Sequence, residues 1–223
     1  MYYRQFSEAC TFATTYRGDV TILGGSAAQS GRVQKAQAKF WGAPNAPRQH
    51  VTLDGVTRTR FTWGNEIEAL TASQRSVRGP HPSLLLLDEV DEMDWKIFEA
   101  ALGQTMSAPG IPARTGIFST HQYDSGTMAK VLKMCAEKGW RYFEWCWREV
   151  LEPHGWLSPS EVVRKRSEMT DQMWQTEVEL QEPSLEGLAI ERAKVERMFC
   201  GDPIQCPSES AKDGEFPYRE FEP

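Results

Sequence analysis

The stretch PSLLLLDEVDEMD, residues 82 to 94, constrains the fold more than any other part of the sequence, because four consecutive leucines run directly into five acidic residues. An apolar run without polar alternation is typical of a strand buried on both faces, as in a parallel sheet covered by helices. In open parallel sheets, ligands bind beyond the carboxyl ends of the strands. The stretch therefore predicts a central strand, Leu84 to Leu87, that delivers Asp88 and Glu89 to the ligand-binding edge.

Strand and helix patterns alternate upstream of this stretch. A helix is predicted over residues 2–16, a short buried strand over 19–26 and a second helix over 27–41. Residues 50–71 alternate apolar and polar side chains around two glycine-containing turns. This pattern predicts two or three antiparallel strands packed at the edge of the main sheet.

The alternation continues downstream. A helix is predicted over residues 95–106, a buried strand over 113–121, a helix over 127–139 and a further strand over 140–147. The repeated order of strand and helix predicts an α/β fold, with a mainly parallel sheet flanked by helices and an antiparallel hairpin insertion.

The composition is that of a folded chain, since 40% of the 223 residues are apolar and 25% are charged. A net charge of −6 argues against coating nucleic acid by bulk electrostatics, so any nucleic-acid contact must be local, shared with other subunits or indirect. Five scattered cysteines without a CxxC pair indicate free thiols. No apolar run approaches the roughly 20 residues of a membrane span, and no signal peptide is recognisable, which predicts a cytoplasmic protein without a membrane partner.

The acids that follow the leucines have two interpretations. In nucleoside triphosphatases an aspartate at the end of a buried strand holds Mg²⁺ through water, and the next glutamate orients and activates the attacking water. Asp88 and Glu89 match that order. The alternative is a solvated turn between strand and helix, because acids favour the first turn of a helix. We interpret the other three acids as cap and first-turn residues of the helix near residue 95: Asp91, Glu92 and Asp94.

Two neighbouring segments favour the first interpretation. The next predicted strand ends in Ser119, Thr120 and His121, and a polar strand end beside a nucleotide can sense the γ-phosphate; hydroxyls that cap a turn are the alternative. Arg75 and Arg78 precede the leucine strand and are candidates for contacts with phosphate or DNA, or are surface arginines.

Taken together, these segments resemble the ATPase domain of phage terminase large subunits over roughly residues 19 to 190. The resemblance is carried by VTILGGSAAQSGRVQ, by ALTASQRSVRGPHP leading into LLLLDEVDEM, by STH and by EVELQEPSLEG. It implies that Asp88 is the Mg²⁺ aspartate and Glu89 the catalytic glutamate. It further implies that Ser119, Thr120 and His121 couple hydrolysis to movement.

The resemblance also implies a fold, cofactors and partners. The fold would be that of P-loop nucleoside triphosphatases with a small helical subdomain, and the cofactors ATP and Mg²⁺. The intact protein would couple ATP hydrolysis to translocation of double-stranded DNA into a procapsid. Its partners would be DNA, the terminase small subunit and the portal protein, and it would work as a homo-oligomeric ring in the cytoplasm of the infected host cell.

One feature of the family pattern is missing from this sequence. The sequence contains no phosphate-binding loop of the form G-x-x-x-x-G-K-[ST]. The nearest candidate, GGSAAQSGR, has a different spacing and places Arg32 where the lysine would lie. We therefore expect the chain to begin just after that loop, with residues 1–16 as the helix that the loop normally opens. Such a chain is expected to hydrolyse ATP poorly or not at all by itself.

The resemblance divides the chain into three parts. Residues 1–150 are predicted to form the ATPase core without its phosphate loop, residues 151–198 a small helical subdomain, and residues 199–223 a linker towards a missing nuclease domain. Asp202 and Asp213 lie in a proline-rich tail without a strand pattern, so we assign no nuclease site.

Two other functions fit part of the pattern. A helicase-like or repair ATPase shares the acidic strand end and the polar strand end, but not the EVELQEPS segment that leads into a linker. A non-catalytic DNA-binding or assembly module would keep the fold without a nucleotide site. Measured ATP binding separates the last possibility from the other two.

Overall fold

The computed structural model describes residues 2–73, 79 and 81–181, and these residues form one six-stranded sheet with helices around it. The strands are β1 (Val20–Gly24), β2 (Val51–Asp54), β3 (Arg58–Phe61), β4 (Glu66–Thr71), β5 (Leu84–Asp88) and β6 (Arg114–Phe118). The helices are α1 (Tyr2–Thr15), α2 (Ala27–Trp41), α3 (Trp95–Leu102), α4 (Thr127–Lys138), α5 (Pro159–Glu168) and the short α6 (Asp171–Met173), which runs into a π-helical turn, Trp174–Val178. None of the helices in this part of the chain is long and apolar enough to cross a bilayer.

The strand order across the sheet is β2-β3-β4-β1-β5-β6. Strands β4, β1, β5 and β6 run parallel, whereas β2 and β3 pair antiparallel with their neighbours. The predicted α/β architecture and its antiparallel insertion at the edge of the sheet are therefore confirmed.

The four leucines of β5 connect two separate cores. Leu84 and Leu86 pack in the cluster beneath α1 and α2, and Leu85 and Leu87 pack in the cluster beneath α3 and α4. Successive strand residues face opposite sides of a sheet, so a strand covered on both sides needs an apolar residue at every position. All four are at most 1% exposed, and burial of one leucine contributes about 1.5–3 kcal/mol.

Three helix ends are stabilised by capping residues. The Asp94 carboxylate accepts a hydrogen bond from the Lys96 N–H at 2.8 Å and caps α3. Gly139 ends α4 with φ = 63°, a left-handed conformation that glycine adopts without strain. Ser158 accepts from the Glu161 N–H at 3.3 Å, ahead of a proline at the first position of α5.

Two strand predictions need correction. The strand predicted to be buried over 113–121 is the edge strand β6, and its residues Arg114 and Thr115 are exposed. The strand predicted over 140–147 is absent: residues 140–146 have no regular structure and Trp147 begins a 3-10 turn. An aromatic-rich pattern becomes a strand only where a neighbouring strand supplies hydrogen-bond partners, and no strand of the described sheet pairs with this segment.

The boundaries of the predicted parts remain predictions. Residues 159–178 are largely helical, as expected for the proposed subdomain, but residues 182–198 and the predicted linker 199–223 lie outside the described residues. Arg75, Arg78, Asp202 and Asp213 also lie outside them.

Candidate functional site

The site is built where three parallel strands end together. In the strand register Gly24 of β1 lies opposite Asp88 of β5, and Asp88 lies opposite Phe118 of β6. The Glu89 N–H donates to the Phe118 carbonyl oxygen at 2.8 Å, which keeps the chain leaving β5 beside the chain leaving β6. The residues after these strands therefore converge at the carboxyl edge of the sheet.

Asp88 is fully buried at the end of the central strand. Its Oδ1 accepts a hydrogen bond from Gln5 Nε2 of α1 at 2.6 Å, whereas Oδ2 has no hydrogen-bond partner among the described residues. Burial raises the pKa of the Asp88 carboxyl, and the hydrogen bond from Gln5 opposes that rise. The carboxylate is thus oriented through one oxygen, while its other oxygen is buried without a donor among the described residues.

Glu89 leaves the strand in a left-handed backbone conformation, with φ = 52° and ψ = 55°. This conformation is rare for residues other than glycine and is found preferentially at functional sites. Here it interrupts the alternation of the strand and directs the Glu89 side chain to the cleft described next. Burial raises the pKa of the Glu89 carboxyl, as do the nearby carboxylates, while the Arg32 guanidinium lowers it.

A cleft of about 350 Å³ opens above the strand ends. Its walls come from the loops after all three strands and from the π-helical turn: Gly25, Ser26, Glu89, Glu92, Thr120, Gln122 and Glu177. Three of these seven lining residues are carboxylates, and none is basic. Hard oxygen donors of this kind suit Mg²⁺, and the repulsion among carboxylates that raises the Glu89 pKa is a repulsion that a cation relieves.

The donor set favours a hydrated ion over an enclosed one. Within the described residues, no three His, Cys, Asp or Glu side chains converge closely enough to enclose a metal ion. Mg²⁺ usually keeps several waters and uses only one or two protein carboxylates. A buried aspartate with one oxygen unpaired among the described residues, beside an acidic cleft, fits that mode of binding.

The predicted coupling residues lie at the end of β6 but have different environments. Thr120 lines the cleft, and its Oγ1 accepts from Gln122 Nε2 at 3.0 Å. Ser119 Oγ accepts from the Asp91 N–H at 3.1 Å and donates to the Thr120 carbonyl at 2.9 Å. The Nε2 atom of His121 is buried without a hydrogen-bond partner among the described residues.

Asp91 corrects the prediction that it caps the following helix. It is 7% exposed and lies in the 3-10 turn Val90–Glu92. Its Oδ2 accepts from the Gln122 and Tyr123 N–H groups at 2.8 and 3.0 Å, and its Oδ1 accepts from the Met128 N–H at 2.8 Å. One carboxylate therefore fixes the loop after β6 and the start of α4 to the turn that carries Glu89.

Glu177 reaches the cleft because the turn that carries it is fixed by its neighbour Glu179. The Glu179 carboxylate accepts two hydrogen bonds from Arg148 Nη2, at 3.0 and 2.9 Å. It also accepts from the indole nitrogens of Trp147 and Trp174, both at 3.2 Å. π-Helical turns are uncommon and occur often at functional sites.

Sequence reasoning missed four residues of this site: Gln5, Glu92, Gln122 and Glu177. Gln5 had a usable signal, because it shares a helical stripe with the buried residues Ala9 and Ala13, where a glutamine is out of place unless it has a polar partner. The sequence does not show that Glu177, some 90 residues from Glu89, returns to the same cleft.

No protein-family model matches the chain, and no curated protein sequence matches it either. Several solved structures do match the chain. The large terminase of a thermophilic bacteriophage superposes with a TM-score of 0.61 at 14% identity, over 78% of this chain and 43% of that one. The large terminase of bacteriophage HK97 gives a TM-score of 0.57 at 12% identity, over 79% and 43%. A structure of the thermophilic phage's protein in complex with ADP gives 0.55 at 14%, over 78% and 42%.

At these identities the likeness concerns the fold. The chain has the fold of the phage large terminases, and it spans less than half the length of the structures it matches.

Proposed function

We propose that this chain, which has the fold of the phage large terminases, carries part of the ATP-hydrolysing motor of a DNA-packaging terminase. One observation carries the proposal: Asp88 and Glu89 stand at the end of the central strand, beside an acidic cleft that Thr120 also lines. Acidic residues at the ends of parallel strands next to a polar strand end are part of what Mg²⁺-dependent phosphoryl transfer uses.

Asp88 is proposed to hold Mg²⁺ through water. Bound Mg²⁺ neutralises charge on the β- and γ-phosphates of ATP. Gln5 occupies the Oδ1 atom of Asp88, and the Oδ2 atom has no hydrogen-bond partner in the part of the chain that the structure describes. The ADP in one of the similar terminase structures supports an adenine nucleotide as the ligand.

Glu89 is proposed to orient and deprotonate the water that attacks the γ-phosphate. Its side chain faces the cleft, and its raised pKa brings the carboxylate closer to the basicity that a general base needs. The rigid left-handed turn fixes the position of that carboxylate relative to the strand.

The loop after β6 is proposed to pass the state of the nucleotide to the rest of the protein. Thr120 lines the cleft, and the Asp91 carboxylate holds the same loop together with the start of α4. A shift at the γ-phosphate position can therefore reach α4 through packed, hydrogen-bonded groups. Ser119, Thr120 and His121 keep their proposed coupling role.

Few groups among the described residues of the site could bind phosphate. None of the seven lining residues is basic, and Arg32 is the cation that acts on both Asp88 and Glu89. We therefore propose weak nucleotide binding by the chain alone. Coupling to double-stranded DNA, assembly with the small subunit, portal protein and procapsid, a homo-oligomeric ring and a host-cytoplasmic location are proposed for the intact motor.

The proposal is tested by titrating the full chain with ATP and ADP by calorimetry, with and without Mg²⁺. We expect weak binding that requires Mg²⁺ and that Asp88→Asn abolishes. The variant Glu89→Gln is expected to keep binding and to lower any measurable turnover at least about 100-fold. Glu99→Gln, at an exposed position on α3, is the matched control.

Each part of the proposal has a result that would contradict it. Binding that does not depend on Mg²⁺, or that survives Asp88→Asn unchanged, removes the metal role of Asp88. Turnover that Glu89→Gln leaves intact removes the catalytic role of Glu89. Robust turnover that Glu89→Gln abolishes would support the catalytic role of Glu89 but contradict the proposed weak binding. The chain would then have a phosphate-binding site of its own.

A further inference from the structure

Gln5 and Asp88 form a buried polar pair between α1 and the central strand. Both residues are 0% exposed, and Gln5 Nε2 donates to Asp88 Oδ1 at 2.6 Å across 83 residues of sequence. The rest of the Gln5 stripe on α1 is apolar, with Ala9 and Ala13 also fully buried. A glutamine at this position therefore has to be explained by its partner.

The orientation of the Gln5 amide follows from the charge of Asp88. An ionised carboxylate only accepts hydrogen bonds, so the NH₂ group of Gln5 must face it and the amide oxygen must point elsewhere. Two buried acceptors are left over: Gln5 Oε1 and Asp88 Oδ2 both lack a hydrogen-bond partner among the described residues. A buried acceptor without a donor costs about 1–3 kcal/mol, so a group that donates to either oxygen would stabilise the pair.

We propose that Gln5 is a positioning residue of a divalent-cation site, and that its NH₂ group holds the Asp88 carboxylate in the orientation in which it would hold hydrated Mg²⁺. This inference rests on the proposed function, because it assigns to Asp88 the cation that phosphoryl transfer needs. Gln5 contributes through its NH₂ group, which fixes the Asp88 carboxylate by the hydrogen bond to Oδ1. Partners that orient a metal-binding carboxylate typically change metal affinity about 10- to 100-fold when removed.

A purely structural role is the competing explanation, since the same hydrogen bond fastens α1 to β5. The two explanations differ in their response to Gln5→Glu. This variant places a second carboxylate against Asp88, so it lowers the thermal stability of the metal-free protein in either case. At a cation site the added negative charge would strengthen ion binding. If the hydrogen bond is purely structural, the added charge would not strengthen ion binding.

The experiment measures Mn²⁺ binding to the full chain by the electron paramagnetic resonance signal of the free ion, with Mg²⁺ as competitor. Melting temperatures are recorded with and without Mn²⁺. We expect Gln5→Leu to weaken Mn²⁺ binding at least about tenfold. We expect Gln5→Glu to melt earlier than the wild type without metal and to show a larger Mn²⁺-induced rise in melting temperature.

Gln37→Leu is the matched control. Gln37 is also 0% exposed, but it lies on α2 and its oxygen accepts from Thr59 Oγ1 rather than facing the site. Loss of a buried glutamine as such therefore predicts destabilisation at both positions, and only the cation site predicts a loss of Mn²⁺ binding confined to Gln5→Leu.

The outcomes separate this inference from the function on which it rests. If Asp88→Asn weakens Mn²⁺ binding while both Gln5 variants bind like the wild type, Gln5 is structural and the inference is wrong. If the wild type does not bind Mn²⁺, or Asp88→Asn binds as the wild type does, the proposed metal role of Asp88 fails as well. If Gln5→Leu does not fold, the Mn²⁺-induced change in melting temperature of Gln5→Glu decides alone, and a change no larger than that of the wild type overturns the inference.

Discussion

At the scale of single residues, the acidic stretch after β5 shows how position decides the role of a carboxylate. Asp88 ends the strand and is buried, Glu89 turns left-handed and faces the cleft, Asp91 binds three backbone N–H groups, and Asp94 caps α3. The leucine tetrad was enough to predict the positions of Asp88 and Glu89. The role of Asp91 depends on a loop some 30 residues away, which no local pattern reveals.

Asp91→Asn tests the anchoring role. The substitution removes the charge from an acceptor of three N–H groups and sets an NH₂ group against some of them, so we expect a loss of about 2–4 kcal/mol in the free energy of unfolding, measured with urea. Asp94→Asn is the matched control from the same stretch. Asparagine caps helices as well as aspartate, so its effect should stay below about 0.5 kcal/mol. Equal losses for the two variants would show that Asp91 is an ordinary turn residue.

Glu89→Gln tests the electrostatic environment of the proposed catalytic residue. The folded-state pKa of Glu89 is raised above its ordinary value of 4.5, so the folded protein binds this proton more tightly than the unfolded chain does. Stability from this group is therefore present below pH 4.5 and is lost as pH rises through the folded-state pKa. We expect Glu89→Gln to raise the melting temperature at about pH 7 and the gain to shrink towards about pH 4.

The pH profile of melting for Glu99→Gln serves as the reference, because Glu99 is exposed. A gain for Glu89→Gln that is the same at every pH would mean that the ionised carboxylate is not the source of the instability.

At the scale of elements, predictions succeeded where an element's own residues determine it. Strand β5, helices α1 and α2, and the glycine end of α4 follow from hydrophobic period and capping residues alone. The predicted strand over 140–147 failed because a strand needs a partner, which its own residues cannot supply. The π-helical turn that carries Glu177 depends on hydrogen bonds from Arg148, Trp147 and Trp174, so its period could not be anticipated.

The start of α4 provides a test at this scale. A Cβ atom on Gly126 would overlap Asp91 Oδ1 and contact Tyr123 Cβ at 3.0 Å, so Gly126→Ala should displace the loop from its anchor. We expect a loss of about 1–3 kcal/mol in the free energy of unfolding by urea. Gly103→Ala at the end of α3 is the matched control. Its nearest contact is 3.6 Å and its φ is −72°, so it should be neutral or stabilising by up to about 1 kcal/mol. A harmless Gly126→Ala would mean that the loop is not held tightly by Asp91.

At the scale of the whole molecule, one strand joins two cores and also carries the site. The odd and even leucines of β5 belong to different clusters. A change in the packing of either core would therefore alter the position of Asp88 through the backbone of β5. The fold class was predictable because alternating strands and helices leave few arrangements with both sheet faces covered. The composition of the site was not predictable, because Gln5, which contacts Asp88, and Glu177, which lines the cleft, come from the two ends of the described chain.

The left-handed backbone at Glu89 has a consequence for how such a sequence evolves. Two penalties coincide at this residue: a backbone conformation that costs a non-glycine residue about 1–3 kcal/mol, and a carboxyl group whose ionisation is opposed by burial and by neighbouring acids. Glycine or asparagine would remove both. Mutation and selection for stability alone would therefore replace this glutamate early, and a lineage that no longer used the site would be expected to lose Glu89 before it lost the leucines beneath it.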